Sequence, residues 1–237
     1  MRRSQVMPLR IVAILLTAAT ALCAGNFFEQ VWPEADIYVR TGRDTRLMFM
    51  ASGVRAAEDG RADGSVGVFV DYFVAPLLKE REHRHSAISP DKFLALRAGY
   101  FAYKTEATSS KPSSIEQYAE MEATPRFYGP AKLLLSDRNR GDLGFINGAF
   151  QPRYRNRLKL ERTRRLKKEW SLTPYAYAEV FYDWRYNGFT RQRYSAGNVV
   201  EFNKRVALDG YYLRQEDSRA KVKGMNVFGL TLEVFLR

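Results

Sequence analysis

Residues 153 to 161, Arg-Tyr-Arg-Asn-Arg-Leu-Lys-Leu-Glu, carry charge at every odd position, against Tyr154, Asn156, Leu158 and Leu160 at the even ones. A repeat of two predicts a β-strand, whose successive side chains point to opposite faces. The alternation recurs down the chain. Residues 65 to 74 set Val66, Val68, Val70, Tyr72 and Val74 against Ser65, Gly67, Phe69, Asp71 and Phe73. Residues 115 to 126 set Ile115, Ala119, Met121 and Ala123 against Glu116, Glu120, Glu122 and Arg126, and the last stretch sets Phe228, Leu230, Leu232, Val234 and Leu236 against Gly229, Thr231, Glu233 and Phe235. Four cations on one strand face do not fit a dry sandwich core, whereas a barrel with a polar inside and a lipid-facing outside accommodates them.

The pattern predicts eleven strands, over residues 34 to 41, 45 to 56, 65 to 76, 92 to 104, 115 to 127, 131 to 143, 151 to 163, 170 to 184, 190 to 203, 205 to 216 and 224 to 237. Turn chemistry separates them at Asp59-Gly60, Asp63-Gly64, Gly129-Pro130, Asn147-Gly148 and Asn187-Gly188, and in the Ser/Pro-rich loop Thr108 to Ser114. The expected fold is all-β, a closed antiparallel up-and-down transmembrane β-barrel of 10 to 12 strands. Bacterial barrels use even numbers, so twelve is favoured, with a further strand in Leu77 to Pro90, over ten, with two segments merging.

The strand from Trp170 to Trp184 tests the membrane reading. Both tryptophans share the even face with Leu172, Ala176, Ala178, Val180 and Tyr182. Fourteen steps at about 3.3 Å, tilted by about 40°, separate them by roughly 35 Å along a membrane normal. Trp170, Tyr182 and Trp184 are therefore expected as interface anchors flanking a hydrocarbon band about 25 Å tall.

The first 25 residues have the form of a secretory signal peptide: Arg2, Arg3 and Arg10, an apolar run from Ile11 to Leu22, then small residues up to Gly25. The run is too short for a spanning helix, which needs about 20 residues. Residues 26 to 237 are left as one barrel domain, exported to the bacterial outer membrane. Cys23, the sole cysteine, lies at the predicted cleavage region, so disulfides cannot hold the mature fold. As a lipid acceptor Cys23 would want a small residue before it, and Leu22 stands there. Losing the leader's three arginines lowers the net charge from +12 to +9. The arginines are spread over alternating strand positions and not gathered on one helix or arm, which argues against a nucleic-acid partner. Outer-membrane lipids, anionic lipopolysaccharide and, during biogenesis, the barrel-assembly machinery are the expected partners.

Several charged stretches resemble, in order, a known family of bacterial outer-membrane proteins catalogued as domain of unknown function 2490. They are Ser136-Asp137-Arg138-Asn139-Arg140, Arg153-Tyr154-Arg155-Asn156-Arg157 through Arg162, Thr173-Pro174-Tyr175 with Glu179-Val180-Phe181-Tyr182-Asp183, and Tyr211-Tyr212-Leu213-Arg214-Gln215. The resemblance covers residues 131 to 217 and implies an outer-membrane barrel without an established activity.

The inward rows form the candidate constellation: Arg97, Glu116, Glu120, Glu122, Arg138, Arg140, Arg153, Arg155, Arg157, Lys159, Glu161, Glu179, Asp183, Arg191 and Arg193. Adjacent strands bring cations and carboxylates together, and Arg97 is expected to pair with Glu116 or Glu120 on the next strand. Two readings follow. The network either plugs the lumen, leaving a structural or limited-permeability role, or lines an anion-selective pore; the plugged reading is favoured because a barrel of this size is readily filled by long side chains. A third reading, a lipid-modifying enzyme, rests on His83, His85 and Ser86 within a loop of alternating charge. Nothing marks Ser86 as a nucleophile, so no catalytic residue is assigned. The His-x-His pair has no further His or Cys to complete a metal site. No phosphate loop, nucleotide fingerprint or CxxC spacing occurs, so no cofactor is expected.

Overall fold

The computed structural model describes residues 29–56, 62–74, 93–107, 113–166, 170–219 and 224–236. The leader, Cys23, the His83/His85 segment and any strand within Leu77 to Pro90 lie outside the described residues. Twelve strands form one sheet: β1 (Gln30–Arg40), β2 (Thr45–Ala56), β3 (Ala62–Val74), β4 (Leu94–Thr105), β5 (Ser114–Tyr128), β6 (Leu134–Ile146), β7 (Ala149–Glu161), β8 (Arg164–Arg165), β9 (Ser171–Asp183), β10 (Gly188–Asn203), β11 (Val206–Asp217) and β12 (Gly224–Leu236). Among the described residues no helix is long and apolar enough to cross a membrane, which leaves crossing by strands open.

Eleven of the strands close a ring in chain order, and the two-residue β8 only lengthens the β7–β9 connection along the start of β9. Neighbours are antiparallel except at the closure, where β12 runs parallel to β1 with Glu233 beside Asp36. The parallel seam departs from the all-antiparallel ring expected from sequence, and it follows from the odd number. Up-and-down strands alternate direction, so the first and last of eleven point the same way. The chain thus enters the ring at one rim and leaves at the other.

The eleven predicted segments correspond one to one with ring strands. Several boundaries differ: Asp63-Gly64, expected as a turn, pairs with Val54 and Gly53 inside β3, and two starts shift for local reasons. β1 starts ahead of Pro33, which lacks an N–H, because its pairing with β2 skips from Val31–Arg55 to Glu34–Ser52. β6 starts at Leu134 because Pro130–Lys132 form a 3-10 turn, with Ala131 and Lys132 at positive φ. The β6–β7 hairpin is as tight as the Asn147-Gly148 pair predicts, with both residues at positive φ, the type I′ arrangement that matches strand twist.

Alternation sorts the side chains. Val66, Val68, Val70 and Tyr72 are exposed on the outside of β3, while Phe69 and Asp71 are buried within. Inside, β1 to β5 and β12 contribute an apolar and aromatic sector: Tyr38, Met48 and Phe69 pack with Met50, Phe101 and Phe235, Tyr38 stacks on Phe235 at 4.9 Å, and Phe101 stacks on Tyr118 at 4.7 Å. The Phe69 ring lies flat over Gly67 and Gly99, filling the space that side chains would otherwise take. A Cβ on Gly99 would run into that ring and the Val68 carbonyl. Gly99→Ala is expected to lower stability by about 1–3 kcal/mol through overpacking, read as a shift in the urea midpoint of the purified protein; an unchanged midpoint would mean that Phe69 can vacate this position.

Candidate functional site

Register brings like charges face to face on one wall of the interior. Arg138 stands opposite Arg157, Arg140 opposite Arg155, and Glu120 opposite Asp142. Such pairs repel, and neutralisation runs through two carboxylates, to directly opposite partners (Arg157 and Arg193 for Glu179, Arg153 for Asp142) and to others along diagonals. Glu179, from β9, meets Arg138 at 2.6 Å, Arg155 at 2.9 Å, Arg157 at 3.1 Å and Arg193 at 3.9 Å. Asp142, from β6, meets Arg140 at 2.5 Å, Arg153 at 2.8 Å and Arg155 at 4.0 Å. Glu120 takes a second nitrogen of Arg140 at 2.8 Å, and Glu122 lies 3.7 Å from Arg138.

Six guanidiniums thus share four carboxylates, and aromatic faces take up part of the excess. Arg155 and Arg193 lie 4.5 and 4.8 Å from the centre of the Phe181 ring, with Arg153 and Arg191 at 5.5 and 5.6 Å, and Arg157 lies 4.1 Å over Tyr177. The wall is dry. Asp142, Glu120, Glu179 and Phe181 are 0–1% exposed.

Other predicted residues fall around this wall. Lys159 pairs with Glu161 at 2.6 Å and lies over Tyr175. Arg191 pairs with Asp217 at 2.6 Å. Asp183 sits at the rim, where it accepts from the Arg185 guanidinium of the following 3-10 turn, and that bond raises the Arg185 pKa above its ordinary value. Glu116 accepts from Tyr118 Oη at 2.6 Å. Trp170 and Trp184 stand exposed just beyond opposite ends of β9, Trp170 edge-on to Phe202 at 5.2 Å and Trp184 edge-on to Tyr182 at 5.5 Å.

Arg97 does not pair with Glu116 or Glu120. It binds Asp71 on β3 through Nε at 2.6 Å and Nη2 at 3.1 Å, and Arg46 shares the same carboxylate at 2.6 Å. The register explains this: Asp71 is directly opposite Arg97, whereas Glu116 faces Tyr103 and Glu120 faces Gly99.

A different chemistry lines the seam. Asp36 and Glu233 are neighbours across the parallel pair, and Glu34 and Asp209 flank Thr231, the inward residue before Glu233. Among the described residues no cation lies within 4.0 Å of any of these four carboxylates. Asp36 accepts from Tyr38 Oη at 3.2 Å, and Asp209 from Tyr175 Oη at 2.9 and 3.0 Å, but Asp36 Oδ1 has no hydrogen-bond partner. No group of three or more potential ligands among the described residues is arranged to hold a metal ion. In ring order β6 and β7 lie diametrically opposite this seam, so a basic wall faces an acidic one.

Sequence reading missed Asp142, Asp71, Arg46 and the four seam carboxylates as network members. Asp142 follows Arg138 and Arg140 at the next inward position, so parity alone would have found it. Glu233 is the single acid of an otherwise mostly apolar β12, and Asp209 stands apart from the charged end of β11, so both give a weaker signal.

A family model described as "Protein of unknown function (DUF2490)" matches residues 85–226. The match contains the whole basic wall and leaves out β1, β2, β3 and all but the first three residues of β12. No curated protein matches the chain.

Two glutamates on opposite walls are expected to respond oppositely to neutralisation. Glu179→Gln leaves four buried guanidiniums short of a shared anion and should cost about 3–5 kcal/mol. Glu233→Gln removes a repulsive neighbour of Asp36 and should leave stability unchanged or raise it by up to about 1 kcal/mol. Denaturant midpoints of the two variants, measured side by side, check the contrast.

Proposed function

The chain belongs to the DUF2490 family of unknown function, and from the geometry above we propose that it is an integral outer-membrane β-barrel whose Arg/Glu interior holds it shut, giving it a structural or limited-permeability role. The observation that carries this reading is inverted polarity. Buried charge fills the inside, while Val68, Tyr100, Met121, Leu158 and other large apolar side chains stand exposed around the outside. Soluble monomers rarely expose contiguous apolar patches beyond a few hundred Å², whereas a hydrocarbon layer requires such a belt. The aromatic groups at opposite ends of β9 suit the two interfaces of that layer. On this reading the surrounding partners are outer-membrane lipids and lipopolysaccharide, and the barrel-assembly machinery acts during insertion.

Limited permeability is favoured over an anion-selective pore because the hub carboxylates and Phe181 are almost wholly sealed from solvent. The acyl-hydrolase or transferase reading rests on His83, His85 and Ser86, outside the described residues; the chain has no other histidine, so the described residues offer that chemistry no imidazole.

The test is membrane fractionation followed by planar-bilayer recording. Expected are co-sedimentation with outer membranes, a heat-modifiable gel mobility, and no conductance steps from inserted protein. Stable anion-selective steps that weaken in Arg155→Ala would replace the sealed reading with the pore. Val68→Arg, at the middle of β3 and 43% exposed, should impair insertion by about 2–4 kcal/mol if the belt meets lipid at mid-bilayer. On a water-facing surface the same change should stay within about 0.5 kcal/mol.

A further inference from the structure

The apolar belt is interrupted at mid-height on one side. Between Leu135 and Leu143 the outward positions of β6 are Asp137, Asn139 and Gly141, and on the paired stretch of β7 they include Tyr154 and Asn156. The polar side chains are tied to each other across the two strands. Asn156 Nδ2 donates to Asp137 Oδ1 at 2.6 Å and to Asn139 Oδ1 at 3.1 Å, Tyr154 Oη donates to Asn139 Oδ1 at 2.5 Å, and Asn139 Nδ2 donates to the Asp137 carbonyl at 3.2 Å. Among the described residues no cation lies within 4.0 Å of the Asp137 carboxylate, so it has only the one amide.

An open groove of about 460 Å³ borders this patch. Ala98 and Ala123 make its floor, Tyr72, Leu96 and Met121 are among its walls, and Asn139 lies at its edge. Beside Asn139, Gly141 leaves its backbone bare on the outer face, since a Cβ there would meet nothing within 4 Å. Small residues that permit close approach, together with polar side chains able to bond across, characterise association within a membrane. A carboxylate on the lipid face is otherwise a cost without return.

Acyl chains offer Asp137 no donor. A second copy does. The patch holds the Asp137 carboxylate beside the Asn139 amide, which uses one of its two N–H groups among the described residues, so a two-fold arrangement brings the other N–H of each copy to the carboxylate of its counterpart at one depth in the membrane. The protruding Leu158, opposite Asp137 and half exposed, then faces the small-residue floor of its counterpart. We propose that the outer face of β5, β6 and β7 is an interface between two copies of this chain in the membrane, with Asp137, Asn139, Tyr154 and Asn156 at its polar centre. This rests on the outer-membrane reading.

Cysteine crosslinking tests both levels. With Cys23, the sole cysteine, replaced by serine, single variants Gly141→Cys and Leu158→Cys report on the interface. Ile37→Cys is the control, exposed on β1 at the far side of the ring. Oxidation of native outer membranes should give a product of twice the chain mass for Gly141→Cys and Leu158→Cys but not for Ile37→Cys. Adding Asp137→Leu and Asn156→Leu should reduce the product roughly fivefold while heat-modifiable mobility persists. Inserted, heat-modifiable protein in which the interface cysteines crosslink no more than Ile37→Cys overturns the proposal and leaves the membrane reading intact. An adduct of any other mass overturns it in favour of a different partner. Protein absent from the outer membrane overturns both.

Discussion

Closing eleven strands into a ring sends every second side chain into an interior only slightly wider than side chains can fill. Charges placed there lose most of their water, and each needs a partner within bonding reach or the fold pays a desolvation penalty. Glu179 shows how the chain meets this constraint. It sits where β6, β7 and β10 converge on β9, and it receives guanidiniums from all three. Asp142 serves a second set of arginines in the same way, with Arg155 common to both hubs. The wall therefore behaves as one cross-linked unit in place of a series of independent ion pairs.

The interior is uneven around its circumference. The basic wall has an excess of cations, the seam has carboxylates with no contacting cation among the described residues, and the aromatic sector fills much of the space between them. The seam itself is regular, its β1–β12 register unbroken from Gln30–Val227 to Val39–Leu236, and the skip at Pro33 falls between β1 and β2. Its parallel pairing follows from the odd strand number and not from any local property of β1 or β12.

Parity was legible in the sequence: it located the eleven segments that form the ring and the side chains that turn inward, although the even-number rule favoured a twelfth ring strand. A period of two survives without knowledge of partners, since it reflects only which face of a strand meets which surroundings. Pairing was not legible to the same degree. Arg97 went to Asp71 because the β3–β4 connection sets a register that places them opposite each other, and single-sequence periodicity carries no information about that offset. The parallel seam was hidden by the expectation of an even ring. Asp142, by contrast, lay in plain parity with Arg138 and Arg140.

A group free to act on something outside the chain must have bonding capacity that its neighbours do not consume. Every guanidinium of the basic wall has a carboxylate or an aromatic face close by, and the hubs that hold them are sealed from solvent. The seam carboxylates retain capacity but lie within the same closed interior. Asp137 combines an uncompensated carboxylate with a position on the outer face, beside a groove and a bare glycine backbone. Its alternation with Arg138 and Arg140 is what puts it there: the parity that drives the arginines inward drives Asp137 and Asn139 out. One sequence pattern thus turns the arginines into the barrel and sets Asp137 and Asn139 on its outer face.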